Sequence, residues 1–158
     1  VGKSQQRRIE TIIETPSLEV LTLMQKGLLV EKALRIVVNN VLERLLNEFN
    51  RQGVPTAVIT NTQSSIARPL LESLDLIPDA LIAADNVTNP KPAPDMIFRG
   101  CEVLSVEPWD ILVVGDSASD QQAAASAGVP FAGLGGVAGN YMIKRLADVP
   151  TIMDGGYQ

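Results

Sequence analysis

Two carboxylates stand four residues apart in Gly115-Asp116-Ser117-Ala118-Ser119-Asp120, directly after the apolar run Ile111 to Val114. Earlier in the chain, Thr60-Asn61-Thr62 follows Val58-Ile59, and Asp85, Asn86 and then Lys91 follow Ile82-Ala83-Ala84. Close carboxylates hold a hard cation, and a lysine with hydroxyls holds phosphate oxygens. Together these are the parts of cation-assisted phosphoryl transfer. Each group also has a plainer reading. Thr60-Asn61 serves equally as a polar strand end opening a turn. Lys91 has a proline on either side, which favours an extended loop whatever its job. Ser117 with Asp120 three residues on matches a capping box, so Asp120 could serve only its own helix. Asp116, straight after a buried-type strand, is harder to explain away.

Composition removes the competing chemistries. The chain has no histidine, so Ser-His-Asp, Cys-His and His-based metal sites are excluded. Its one cysteine, Cys101, permits neither an intrachain disulfide nor a Cys-rich zinc site. A bound cation would therefore take oxygen ligands, which favours a hard ion such as magnesium. Thirteen Lys and Arg against eighteen Asp and Glu leave a net charge of −5, which argues against a nucleic-acid partner. The longest uncharged stretch, Gln121 to Ile143, is broken by five glycines and a proline and does not read as a membrane span. One cysteine and no export signal predict a reducing cytoplasm.

These groups need elements to carry them. A length of 158 residues fits one domain with a real core. Val41, Leu42, Leu45, Leu46 and Phe49 repeat at helical spacing up to Gly53. Strands are predicted at 56–60, 80–83, 111–114 and 130–132. Helices are predicted through Ile66 to Leu74, Met96 to Leu104, Ala118 to Ala127 and around Tyr141 to Leu146. Helix–strand alternation with continuous apolar strands predicts an α/β doubly wound parallel sheet covered on both faces. Upstream the pattern is helical: Ile9, Ile12 and Ile13 form one stripe, Thr15-Pro16 reads as a helix start, and an apolar stretch runs from Leu28 to Val38. The chain divides near Asn39, giving 1–38 as a partial helical cap and 39–158 as the α/β core. In such a sheet functional groups collect past the carboxyl ends of the strands. Thr60, Lys91 and Asp116 should then converge on a phosphate-sized space, with Asp120 reaching it from the side.

Ile59-Thr60-Asn61, Asn89-Pro90-Lys91-Pro92-Ala93-Pro94-Asp95 and Gly115-Asp116-Ser117-Ala118-Ser119-Asp120 with Ala123-Ala124 and Ala127-Gly128 resemble motifs two, three and four of the haloacid dehalogenase superfamily. The likeness is greatest to its phosphoglycolate phosphatase and β-phosphoglucomutase group, and it covers about residues 41–136. Residues 1–38 resemble the later part of that group's helical cap. The resemblance implies a magnesium-dependent phosphatase acting on a small phosphorylated metabolite through an aspartyl-phosphate. It gives Thr60, Lys91 and Asp120 catalytic roles. Thr60, Asn61 and Lys91 would bind the phosphoryl group, and Asp116 and Asp120 would serve Mg2+. A phosphomutase uses the same parts. Two other matches are set aside: Gly133-Leu134-Gly135-Gly136-Val137-Ala138 lies too near the end for a dinucleotide loop, and Gly2-Lys3-Ser4 lacks the leading glycine of a P-loop.

The first motif is missing. In that family a mid-sheet strand ends in Asp-x-Asp, whose first aspartate is the nucleophile, and no Asp-x-Asp occurs anywhere here. The chain opens with Val1, and the expectation is that an upstream segment carries this motif. Alternatively Ile36-Val37-Val38 is the central strand and Asn39 takes the nucleophile's place. That would make a non-catalytic pseudophosphatase or phosphate-binding module, since an amide cannot attack. A third possibility is a reorganised sheet or a dimer partner filling the gap. Residues 1–158 alone are expected to be inactive.

Overall fold

A computed structural model describes residues 10–14 and 30–155, with side chains from 41 to 155. Six strands form one sheet: β1 (Glu10–Glu14), β2 (Thr56–Thr60), β3 (Ala80–Ala83), β4 (Ile111–Gly115), β5 (Phe131–Leu134) and β6 (Tyr141–Ile143). Their order is β3-β2-β1-β4-β5-β6, and every neighbouring pair is parallel. This is a doubly wound order, which reverses direction beside β1 and leaves a crevice past the strand ends there. The helices are α1 (Val30–Gln52), α2 (Ser64–Ser73), α3 (Asp95–Leu104), α4 (Ala118–Ala127) and α5 (Val149–Met153). No helix among the described residues is long and apolar enough to cross a membrane.

Alternation along the strands divides the core into two. Ala57, Ile59, Ile82, Ile111, Val113 and Phe131 pack with Met96 and Ile97 of α3 and Ala123 and Ala124 of α4. Val58, Leu112, Val114 and Ala132 face the other way, onto Leu42, Leu45, Leu46 and Phe49 of α1, Leu71 of α2 and Val149 and Ile152 of α5. Both faces are covered, so β2 and β4 are buried at every residue. That double burial is why they read as unbroken apolar runs. Gly53, at φ +69, ends α1 in a conformation that costs glycine nothing.

Three expectations need correction. Glu10–Glu14 is a strand, not a helical stripe. It occupies the central slot, with Ile13 level with Val58 on one side and Val114 on the other. This chain therefore fills the mid-sheet position itself, although with Glu-Thr-Ile-Ile-Glu and not with Asp-x-Asp. Its β-branched isoleucines suit a strand walled in on both edges. Ile36-Val37-Val38 belongs to α1, so it is not the central strand. That helix also runs unbroken through Asn39, where the domain division was placed. Tyr141–Ile143 is a short parallel strand on β5, with the helix beginning only at Val149. Three residues are too few to show a period, and the pairing with Ala132 to Leu134 decides their conformation. Thr15-Pro16, read as a helix start, and Gly2-Lys3-Ser4 lie outside the described residues.

Candidate active site

The carboxyl ends of the parallel strands share one edge of the sheet, and the singled-out residues lie along it. Thr60 is the last residue of β2, in register with Ala83 at the end of β3. Asp116 follows β4 directly, and Ser117 is the N-cap of α4. Lys91 arrives from the proline-rich loop between β3 and α3.

Lys91 and Asp120 make a buried ion pair. Lys91 Nζ lies 2.8 Å from Asp120 Oδ1, with side-chain exposures of 0% and 2%. The same ammonium donates to the Ile59 carbonyl at 3.4 Å. The other oxygen of Asp120, Oδ2, accepts from the Ser117 N–H at 3.1 Å and the Ser117 hydroxyl at 2.6 Å. In return the Asp120 N–H donates to Ser117 Oγ at 3.3 Å. The capping reading of Asp120 thus describes one of its oxygens, and the other is taken by Lys91. Such a pair has one defined geometry, because a buried charge is tolerated only with its partners in place.

Gly115 makes this packing possible. A Cβ there would meet Asp120 Cβ at 2.6 Å and its Cγ and Oδ2 at 2.7 Å. The carboxylate lies directly over the glycine backbone, so a larger residue has no room.

Asp116 is exposed on the crevice side of this pair. Partial desolvation of its carboxyl pushes its pKa up first, and the negative charge of Asp120 pushes it further; its own backbone hydrogen bond and Lys91 pull the other way. The Asp116 carboxyl thus feels the charges of both Asp120 and Lys91. Thr60 is buried, and its Oγ1 accepts from the Thr62 N–H at 3.1 Å, which fixes the turn leaving β2. The N-terminal turn of α4 also opens here, and its free N–H groups favour an anion.

The Asn61 side chain turns to the Lys91 loop. Nδ2 donates to the Lys91 carbonyl at 2.8 Å, and Oδ1 accepts from the Lys91 N–H at 3.0 Å. The carboxamide therefore grips the Lys91 backbone, and only the Asn61 main chain is left to face the crevice. Two further ties escaped the sequence. Asp85, after β3, accepts from the Ser64 N–H at 2.7 Å and from the Ser64 hydroxyl, linking the β3 loop to the start of α2. The Ile59 carbonyl serves Lys91, and no side-chain pattern could reveal a backbone acceptor.

The donor set suits a hard cation. Its side chains offer oxygen only, and the raised Asp116 carboxyl beside Asp120 would be relieved by a positive charge. No cluster of three or more acidic, His or Cys side chains occurs among the described residues.

A doubly wound parallel sheet with a buried lysine–carboxylate pair, a second carboxylate and a threonine along one strand edge is an α/β core of the kind whose functional groups gather past the strand ends. The family comparison agrees: residues 10–134 match the haloacid dehalogenase-like hydrolase model, and the chain belongs to that family. Over 91 residues it is 38% identical to the phosphoglycolate phosphatase of Escherichia coli (strain K12), a match covering 56% of this chain and 36% of that relative. The chain thus matches only about a third of the length of such curated relatives. Among solved structures, a predicted phosphoglycolate phosphatase from Haemophilus somnus 129PT superposes with a TM-score of 0.64 at 26% identity, over 70% of this chain and 54% of that one. A HAD-superfamily hydrolase from Ehrlichia chaffeensis shares the fold with a TM-score of 0.72 at 15% identity, covering 97% of this chain and 99% of that one.

Proposed function

We propose that this protein is a magnesium-dependent phosphatase of the haloacid dehalogenase type, acting on a small phosphorylated metabolite. The observation that carries this reading is the buried Lys91–Asp120 pair standing beside Asp116 at the open edge of the sheet. Lys91 offsets the charge of a phosphoryl group, and Thr60 with the Asn61 main chain holds its oxygens. Asp116 would hold Mg2+, with Asp120 behind it, and the ion would supply further positive charge to the phosphoryl oxygens. Asp120 keeps Lys91 in place and caps α4, so the lysine and the helix N-terminus are set by one carboxylate.

The attacking aspartate that the family uses is absent from these 158 residues, since no Asp-x-Asp occurs in them. We therefore infer that this chain binds phosphate with magnesium and, by itself, does not hydrolyse aryl phosphates. The same observation favours a second reading, a phosphate-binding module that has kept the fold without the nucleophile. Titration of residues 1–158 with inorganic phosphate, with and without Mg2+, tests the shared core of both. Binding that needs Mg2+ and disappears in Lys91→Met and Asp116→Asn is expected. Binding indifferent to both substitutions would remove the assignment. Mg2+-dependent turnover of an aryl phosphate, well above an Asp116→Ala control, would place a nucleophile among these residues and refute the inactivity.

A further inference from the structure

The groups that would touch phosphate have been accounted for, whereas the Asn61 side chain points away from the crevice and into a loop. We propose that Asn61 is a positioning residue, whose carboxamide sets the place of the Lys91 ammonium by clamping the Lys91 backbone. The inference rests on the phosphate-binding reading for one of its readouts and on geometry alone for the other.

Lys91 lies between Pro90 and Pro92, so the residue after it has no N–H to donate. Within the loop the Ala93 N–H donates to the Pro90 carbonyl at 3.0 Å, and Asp95 Oδ2 accepts from the Asn89 N–H at 3.3 Å and from Asn89 Nδ2 at 3.1 Å. Asn61, thirty residues earlier, reaches the Lys91 backbone directly. It satisfies both backbone groups of Lys91 at once, donating at 2.8 Å and accepting at 3.0 Å. A carboxamide is suited to this, because it offers a donor and an acceptor in one plane. A carboxylate would set an oxygen against the Lys91 carbonyl, and a hydroxyl could make one of the two bonds only.

The clamp has a lever. Asn61 directly follows Thr60, whose own turn is fixed by the Thr62 N–H at 3.1 Å. From the clamped backbone the lysine stem runs inward to Nζ, which meets Asp120 at 2.8 Å and the Ile59 carbonyl at 3.4 Å. The Lys91 side chain is thus held at both ends, and its root is fixed to the strand end that carries Thr60. Loss of the clamp leaves the tip paired while freeing the root, so lysine and threonine no longer share one frame. Misplacement of about 1 Å is enough to weaken binding of a shaped anion substantially.

The experiment compares Asn61→Ala and the milder Asn61→Ser with Asn140→Ala. Asn140 accepts from the Phe131 N–H at 2.9 Å, at the start of β5 and away from the crevice, so it is a purely structural carboxamide of similar chemistry. All three variants are expected to melt at a lower temperature. At a temperature where each is fully folded, phosphate affinity in Mg2+ should fall about tenfold in Asn61→Ala, less in Asn61→Ser, and not at all in Asn140→Ala. By NMR, the Lys91 amide should lose exchange protection and the Lys91 ammonium signal should shift in the Asn61 variants only. Unchanged Lys91 amide protection and an unchanged ammonium signal would overturn the proposal, and so would equal affinity losses in Asn61→Ala and Asn140→Ala. If the unsubstituted chain binds no phosphate, the functional reading fails, and the two Lys91 NMR signals still decide the clamp.

Discussion

Replacing Asp120 by asparagine isolates the charge of the Lys91–Asp120 pair from the shape around it. Asparagine keeps an oxygen for the Ser117 N–H and hydroxyl, which now bind Asp120 Oδ2. At the other position it turns an N–H toward an ammonium at 2.8 Å, where an acceptor had stood. The lysine side chain is fully buried, so water cannot replace the lost carboxylate without the site opening. Removing one partner of such a pair costs about 3–5 kcal/mol, against about 0–1 kcal/mol for an exposed pair such as Arg99–Glu102. With a urea slope of about 2 kcal/mol per molar, the unfolding midpoint should drop by about 1.5–2.5 M. Lys91→Met should cost a similar amount by stranding the carboxylate. The double variant Lys91→Met with Asp120→Asn should be better than the sum of the singles by at least about 1 kcal/mol, because neither leaves a charge behind. The Asp120→Asn loss should also persist in about 1 M salt, since a buried pair is screened little. A midpoint change below about 0.5 M for Asp120→Asn, or single effects that simply add, would refute the buried pair.

Three other substitutions separate packing, charge and helix-end effects. Gly115→Ala places a Cβ within 2.7 Å of a carboxylate that Ser117 and Lys91 hold in place, so a loss of about 1–3 kcal/mol is expected by urea unfolding; a neutral result would mean that Asp120 can move aside. Asp116→Asn should abolish magnesium binding in a calorimetric titration while leaving stability equal or higher, because burial and Asp120 both disfavour the Asp116 charge in the fold; a marked loss of stability would contradict that. Asp85→Asn should destabilise at neutral pH. The Ser64 hydroxyl and then the Ser64 N–H hold the Asp85 carboxyl below its ordinary value, so its contribution is present above the unfolded pKa and fades as pH falls below about 4. Parallel melting curves of Asp85→Asn and the unsubstituted chain at pH 7 and pH 3 should differ more at pH 7.

Several elements were legible in the residue order because their burial is extreme. Thr56–Thr60 and Ile111–Gly115 read as strands since both faces are covered, leaving no polar alternation to confuse them with an exposed helix. Ala118–Ala127 was equally plain, bounded by a Ser117 cap and a Gly128 turn that are local chemistry. The placing of Thr60, Lys91 and Asp116 on one edge followed from parallel strands alone. Glu10–Glu14 and Tyr141–Ile143 were not legible. Both are short, and a few apolar residues fit either period until neighbouring strands supply hydrogen bonds. Nor could sequence divide the Asp120 carboxylate. Its capping oxygen is bound three residues away, a local rule, but its other oxygen meets a lysine 29 residues distant through the packing of two helices on one face of the sheet. Asn61 is the same case in stronger form. Its place beside Thr60 suggested a role for its main chain, and only the approach of the Pro90–Pro92 loop to the end of β2 gave its side chain the Lys91 backbone as partner. Residue order fixes which groups stand at the strand ends; the approach of distant loops decides which partner each hydrogen-bonding atom takes, because a side chain bonds whatever the fold brings within about 3 Å.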